Sequence, residues 1–200
     1  MRCEHQSVLD AIGNTPLIAL ENIAAGEILC KAEFLNPGGS VKDRVALHIL
    51  QVSKKKGLLK PEDVIVEATS GNTGIGITMV GRRMGHRVII VMPENMSEER
   101  KKLIVALGGE LILTPAEESL DGCLAKVKEL KENLPHVFIP NQFTNPLNPE
   151  AHYLFTGPEL WKQCGDCIDV FVAGVGSGGT LMGVGRYLRE MNPKIQIVGV

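Results

Sequence analysis

The stretch Val64-Ile65-Val66-Glu67-Ala68-Thr69-Ser70-Gly71-Asn72-Thr73-Gly74-Ile75-Gly76, with its continuation to Arg87-Val88-Ile89-Ile90-Val91-Met92, decides the fold class of this 200-residue chain. The run at 64–68 predicts a strand, the glycines after it a turn, and the pattern over 75–84 a helix ended by Gly85. After Arg87 the run 88–92 is apolar at successive positions rather than at alternate ones, which is the mark of a parallel strand buried on both faces. Strand and helix patterns in alternation, separated by Gly and Pro, define an α/β protein.

The same alternation extends in both directions. Upstream, a strand is expected over 28–34. A helix over 40–56 follows Asn36-Pro37-Gly38-Gly39, with Val41, Val45, His48, Ile49 and Val52 on one face and Gly57 as its stop. Downstream, Asn95 with Glu98 three residues on reads as the N-cap of a helix that stops at Gly108-Gly109. A strand over 110–114 leads to a helix carrying Leu120, Leu124, Val127 and Leu130, and then to a strand over 136–140. The Asn/Pro-rich passage 141–148 breaks the rhythm and marks a domain crossover. Beyond it a helix near 158–163, a strand over 168–173, a second glycine-rich turn, a helix near 180–191 and a strand over 195–200 are expected. The chain leaves that last strand with no closing helix, which reads as a cut. The architecture is an open doubly wound sheet, or two of them.

Composition narrows the function classes. The chain is 44% hydrophobic and 22% charged with net charge −2, as expected of a soluble globular protein. No basic cluster argues for a nucleic-acid or anionic-membrane partner, and Lys54-Lys55-Lys56 reads as a solvated helix end. No apolar stretch approaches membrane-spanning length and the N-terminus has no signal-peptide core, so a cytoplasmic location is expected. Five cysteines, an odd number scattered along the chain, suit reduced thiols. Cys164-Gly-Asp-Cys167 follows a helix and leads into a strand, so it reads as two ordinary thiols flanking a turn, and no second Cys pair exists to bind zinc.

In an open α/β sheet the ligand sits beyond the carboxyl ends of the strands, which directs attention to the strand-to-helix turns. The turn at 69–76 offers small hydroxyl side chains and backbone N–H groups at a helix start, suited to a carboxylate or phosphate. The turn Gly174-Val175-Gly176-Ser177-Gly178-Gly179-Thr180 lets backbone wrap closely around a phosphate. Either set of glycines is also explained by close strand–helix packing. Neither has the placement of a dinucleotide fingerprint, and no G-x-x-x-x-G-K-[ST] loop is present. In Asn36-Pro37-Gly38-Gly39-Ser40-Val41-Lys42-Asp43-Arg44, Lys42 falls in the first turn of a helix, where the dipole disfavours a cation and depresses the amine pKa. Such an amine can act as nucleophile and form a Schiff base, whereas a solvated lysine paired with an acid is the bland alternative.

With these motifs assembled, the sequence resembles the fold type II pyridoxal-phosphate enzymes, in particular the cysteine synthase (O-acetylserine sulfhydrylase) and cystathionine β-synthase family. The resemblance runs from Ile12-Gly13-Asn14-Thr15-Pro16-Leu17 to Val200. It rests on six ordered motifs at 13–17, 36–44, 67–76, Asn141-Gln142-Phe143 with Asn148-Pro149, Thr156-Gly157-Pro158-Glu159, and 174–180. It implies that Lys42 holds pyridoxal 5′-phosphate and later moves the α-proton, and that Asn72 meets the cofactor's 3′ oxygen. It implies that Thr69, Ser70, Asn72 and Thr73 with Gln142 bind the substrate carboxylate, and that Gly176, Ser177, Gly178, Gly179 and Thr180 cradle the phosphate. Thr often stands in the family where this chain has Ser177.

Two domains are implied, a smaller mobile one at 37–145 and a larger one from 1–36 plus 146–200. The implied reaction is β-replacement, forming L-cysteine from O-acetyl-L-serine and sulfide through an aminoacrylate intermediate. The alternatives are joining serine or O-acetylserine to homocysteine, as in cystathionine β-synthase, and a truncated, inactive binding module. A homodimer, with serine acetyltransferase as a partner, is also implied. The family serine that meets the pyridine nitrogen has no counterpart assigned among these residues.

Overall fold

A computed structural model describes residues 7–23, 26–69 and 71–200. The chain divides into two compact units, one of Lys42–Asn145 and one of Met1–Val41 with Pro146–Val200.

The Lys42–Asn145 unit is built on a four-stranded sheet of order β5-β4-β3-β6, made of β3 (Val64–Ala68), β4 (Val88–Pro93), β5 (Glu110–Thr114) and β6 (Val137–Phe138). Every pairing in it is parallel. All six residues of β4 are buried. Helices α1 (Lys42–Lys55) and α2 (Asn72–Arg83) pack together on one face. There a Cβ on Gly81 would meet Val88 Cγ2 at 2.7 Å and Ile65 Cδ1 at 2.9 Å, so glycine is what lets α2 seat on the sheet. On the other face Val66, Ala68, Ile89 and Val91 form a core with Cys123 and Val127 of α4 (Ser119–Asn133). Helix α3 (Glu98–Ala106) sends Ile104 into the side shared with Gly74 and Ile90.

The other unit contains an antiparallel pair, β1 (Leu17–Ala19) with β2 (Leu29–Lys31), and a parallel pair, β7 (Val170–Ala173) with β8 (Gln196–Gly199). Its helices are α5 (Leu147–Ala151), α6 (Gly157–Cys164) and α7 (Gly179–Met191), with a π-helical turn His152–Thr156 joining α5 to α6. Leu160, Val184, Leu188 and Ile195 form its core, with Phe171, Trp161 and Ile197 packed against them.

Several expectations need correction. The strand expected at 28–34 stops at Lys31 because it pairs with a short strand that composition did not reveal, and Phe34 and Leu35 sit in an exposed 3₁₀ turn. Helix α2 begins at Asn72, not at 75, so part of the glycine-rich turn is helix. Ser97, not Asn95, is the N-cap of α3. On α4, Val127 is buried as expected and Leu120 and Leu130 pack against the core, but Cys123 is buried in place of Leu124, which is 48% exposed. The Asn/Pro-rich passage expected over 141–148 gives way to helix at Leu147, and helical structure continues from there through the helix expected near 158–163. Burial on both faces holds for β4 but not for β7 and β8, where Val170, Val172 and Val198 are exposed while Phe171 and Ile197 face the helices.

Candidate active site

The sheet order places a topological switch beside β3. The chain leaves β3 through α2 toward β4, whereas β6 pairs with the opposite edge of β3. The loops after β3 and β6 therefore diverge around a crevice at the strands' carboxyl ends, the place where open α/β sheets bind ligands. Thr69 comes from the first loop, Thr73 from the first turn of α2 into which that loop runs, and Gln142 from the second loop, and all three are buried. The Thr73 hydroxyl donates to Gln142 Oε1 at 2.5 Å, joining residues 69 positions apart. Thr69 Oγ1 accepts from Gly71 N at 3.2 Å and shapes the turn into α2. Asn72 is exposed at the first position of that helix. Ser70 lies outside the described residues.

The glycines after β3 are not used as an open turn. A Cβ on Gly74 would lie 2.9 Å from Thr69 Cγ2 and 3.0 Å from Ile90 Cγ2. One on Gly76 would lie 3.1 Å from the Lys42 carbonyl oxygen and 3.2 Å from Ala46 Cβ. Both glycines serve close packing, and Gly76 lets the start of α1 press against the start of α2. Lys42 is the first residue of α1, so this contact brings its backbone beside the helix that opens with Asn72 and Thr73. Its ammonium pKa is pushed down by burial. The sequence suggested the same direction from the helix dipole, but the cause found is loss of solvation.

Glu67, inside the 67–76 motif but given no role by the sequence reading, lies against the Gln142 loop. It sits in β3, 2% exposed, with Oε2 accepting from Asn141 N at 2.8 Å and Oε1 from Gln142 N at 3.3 Å. Burial raises its pKa to about 7, opposed by the two backbone N–H donors. Its signal was visible: a lone carboxylate inside an otherwise apolar strand has to find donors. The cavity beside it is lined by Leu124, Val127, Lys128, Lys131, Ile139 and Phe143.

In the other unit, the loop between β7 and α7 holds the second glycine cluster. Around Gly174, Gly176 and Gly178 no atom lies within 4 Å of where a Cβ would stand, so packing does not require these glycines. Gly178 is left-handed at φ +77° and precedes the 13-residue α7 without a side-chain cap. Gly179 differs, since a Cβ there would overlap Asn148 Oδ1. Asn148 Nδ2 donates to Ser177 Oγ at 2.9 Å, and Thr180 Oγ1 lies 3.2 Å from His152 Nε2. His152 is fully buried in the π-helical turn, its Nδ1 lying 3.0 Å from Thr156 Oγ1. Asn148 and His152 thus brace the loop from behind. Asn148 stood in the sequence as part of the motif Asn148-Pro149, whereas nothing in the sequence reading pointed to His152. Cys164 and Cys167 flank a 3₁₀ turn, and burial, with Cys167 as a lesser cause, raises the Cys164 pKa, the opposite of an activated redox thiol.

A family model described as "Pyridoxal-phosphate dependent enzyme" matches residues 8–200, and the chain belongs to that family. It is similar to a cysteine synthase of Staphylococcus aureus, 49% identical over 198 residues, which cover 97% of this chain and 64% of that protein. It is as similar to a cystathionine beta-synthase of Apis mellifera, 49% identical over 201 residues, covering 96% of this chain and 40% of the relative. The solved structure of a hydrogen sulfide-producing enzyme from Fusobacterium nucleatum superposes with a TM-score of 0.93 at 46% identity, covering 96% of this chain and 65% of that one. The chain thus spans about 64% of the length of the cysteine synthase that it matches. Pyridoxal phosphate, on which the family depends, fits residues present here. The Gly174–Gly178 backbone has open space ahead of an uncapped helix N-terminus suited to a phosphate, and α1 begins with a lysine whose burial favours the neutral amine.

Proposed function

We propose that the chain takes part in a pyridoxal-5′-phosphate-dependent β-replacement that forms L-cysteine from O-acetyl-L-serine and sulfide. The bond between Thr73 and Gln142 across the β3–β6 switch carries this reading, because it builds a small, buried, polar seat from two loops. In this seat the Thr73 hydroxyl, the Gln142 amide and the loop residues Thr69, Ser70 and Asn72 orient the amino acid by its carboxylate. Lys42 Nζ holds the cofactor and exchanges the α-proton, a role for which a buried amine is better suited than a solvated one. Asn72 meets the 3′ oxygen of the ring, and Gly176, Ser177, Gly178, Gly179 and Thr180 hold the phosphate. When bound, the cofactor would supply an electron sink for negative charge at the α-carbon. Residues 37–145 act as the mobile domain and residues 1–36 plus 146–200 belong to the phosphate-binding domain.

The test is a steady-state comparison of acceptors with O-acetyl-L-serine as donor. Sulfide gives a higher kcat/KM than homocysteine. The reverse order would assign the chain to cystathionine synthesis, the second reading, which the similarity to the Apis mellifera enzyme favours. The protein works in the cytoplasm, a compartment consistent with Cys30, Cys123, Cys164 and Cys167 all being free thiols. Among the described residues no helix is long and apolar enough to cross a membrane. A homodimer and a complex with serine acetyltransferase complete the proposal, both drawn from the family resemblance and checked by sedimentation and by co-purification.

A further inference from the structure

We propose that Glu67 is a positioning residue: by accepting from the backbone N–H groups of Asn141 and Gln142 it fixes the turn that aims the Gln142 side chain at Thr73. This rests on the reading of Thr73 and Gln142 as the seat of the substrate carboxylate. Gln142 lies four residues beyond a two-residue edge strand, β6, which by itself gives little to hold the following loop. The loop also contains a left-handed residue, Asn141 at φ +52°, a conformation that asparagine tolerates better than most residues and that the contacts around it hold in place. The imposing contacts come from two sides. Within the turn, Asn145 N donates to the Asn141 carbonyl at 3.0 Å, and Asn145 Nδ2 donates to the Pro140 carbonyl at 2.7 Å. From the sheet, Glu67 takes the next two N–H groups on its two carboxyl oxygens.

The chain of contacts is continuous and short. Glu67 grips the Gln142 backbone, and the Gln142 side chain receives the Thr73 hydroxyl. Glu67 and Thr73 lie on one stretch of sequence, on either side of the turn from β3 into α2, so the carboxyl ties the β6 loop to the segment that carries the rest of the seat. A merely space-filling residue at this place would be apolar, like the other members of β3. The strand instead buries a carboxyl group at the carboxyl end of the sheet, one position before its last residue.

The test uses the full chain loaded with pyridoxal phosphate and the variant Glu67→Gln, in which one carboxyl oxygen becomes an NH₂ that cannot accept from a backbone amide. The expected result is a rise of about tenfold in KM for O-acetyl-L-serine, with a smaller change in kcat and with cofactor content unchanged. Equilibrium titration with L-serine in the absence of sulfide weakens in parallel. Gln142→Ala and Thr73→Ala are run alongside. If they raise KM and a folded Glu67→Gln does not, the positioning role is overturned while the reading of the seat stands. If neither raises KM, the seat itself is misassigned. An equal fall in cofactor content, kcat and binding would mark Glu67 as structural only and would also overturn the proposal. Should Glu67→Gln not fold, amide hydrogen exchange on the unmodified protein decides. Asn141 and Gln142 are expected to be protected, and exchange of both at free-peptide rates overturns the assignment.

Discussion

Lys42 and Glu67 show how burial tunes two groups in opposite chemical directions, each toward its neutral form. For Lys42 the neutral amine is the reactive one, and borohydride reduction of the cofactor-loaded protein followed by peptide mapping is expected to tag this residue. A tag on Lys31 would overturn the assignment, because Lys31 is engaged with Glu159 at 2.6 Å and with the Thr15 carbonyl in the other unit. Lys42→Ala is expected to lose turnover by orders of magnitude. For Glu67, the pKa in the folded chain lies near 7 against an ordinary 4.5, so the folded state holds the proton more tightly than the unfolded one. Its contribution to stability therefore grows as pH falls from about 7 to about 4.5, and it is lost as pH rises through the same window. The difference is about 3 kcal/mol. Urea unfolding at pH 8 and pH 5.5 is expected to show this slope in the unmodified chain and its absence in Glu67→Gln.

The helices that start at the site depend on glycine for two separate reasons, and substitution separates them. In α2, Gly81 is pressed against β3 and β4, so Gly81→Ala forces a Cβ into Val88 and Ile65 and is expected to cost about 1–3 kcal/mol in chemical denaturation. In the loop before α7, Gly176 has open space around it and no left-handed φ, so Gly176→Ala is expected to leave stability unchanged and to weaken cofactor retention. Equal cofactor retention in Gly176→Ala would remove this glycine from the phosphate cradle. Gly178 is a poorer probe, since at φ +77° any side chain is strained whether or not phosphate binds there. The π-helical turn between α5 and α6 aligns His152 with Thr156 and Thr180, and such bulges recur at functional sites. His152→Ala is expected to loosen the Thr180 hydroxyl and lower phosphate affinity with little effect on KM for the amino acid.

At the scale of the molecule, the proposed reading divides the chemistry by kind between the two compact units. The Lys42–Asn145 unit carries the lysine and the polar seat, on a sheet whose helices cover both faces. The other unit carries the glycine loop in front of α7. Changes confined to the first unit's seat, Thr73→Ala for example, are therefore expected to raise KM for the amino acid before they affect cofactor content. Changes in the glycine loop are expected to do the reverse. Cofactor absorbance and KM measured on the same preparations check this separation.

What the sequence alone determined was the class and order of elements. An unbroken apolar run such as 88–92, short and rich in β-branched residues between Gly85 and Pro93, reads as a covered strand, and turn glycines announce themselves because left-handed backbone excludes most other residues. It also made Lys42 conspicuous, as a cation at a helix start. The tertiary structure decided what local pattern could not carry. It decided that β6 returns to the far side of β3, since pairing order is set by burial across the whole sheet. It decided that Gly74 and Gly76 are packing residues while Gly174, Gly176 and Gly178 are not, since only the neighbours of a missing Cβ distinguish the two. It decided that the Lys42 amine is lowered by desolvation, and it found donors for Glu67 in Asn141 and Gln142, 74 and 75 residues away. Each of these is a contact between distant segments, and its energy exists only once the chain has closed on itself.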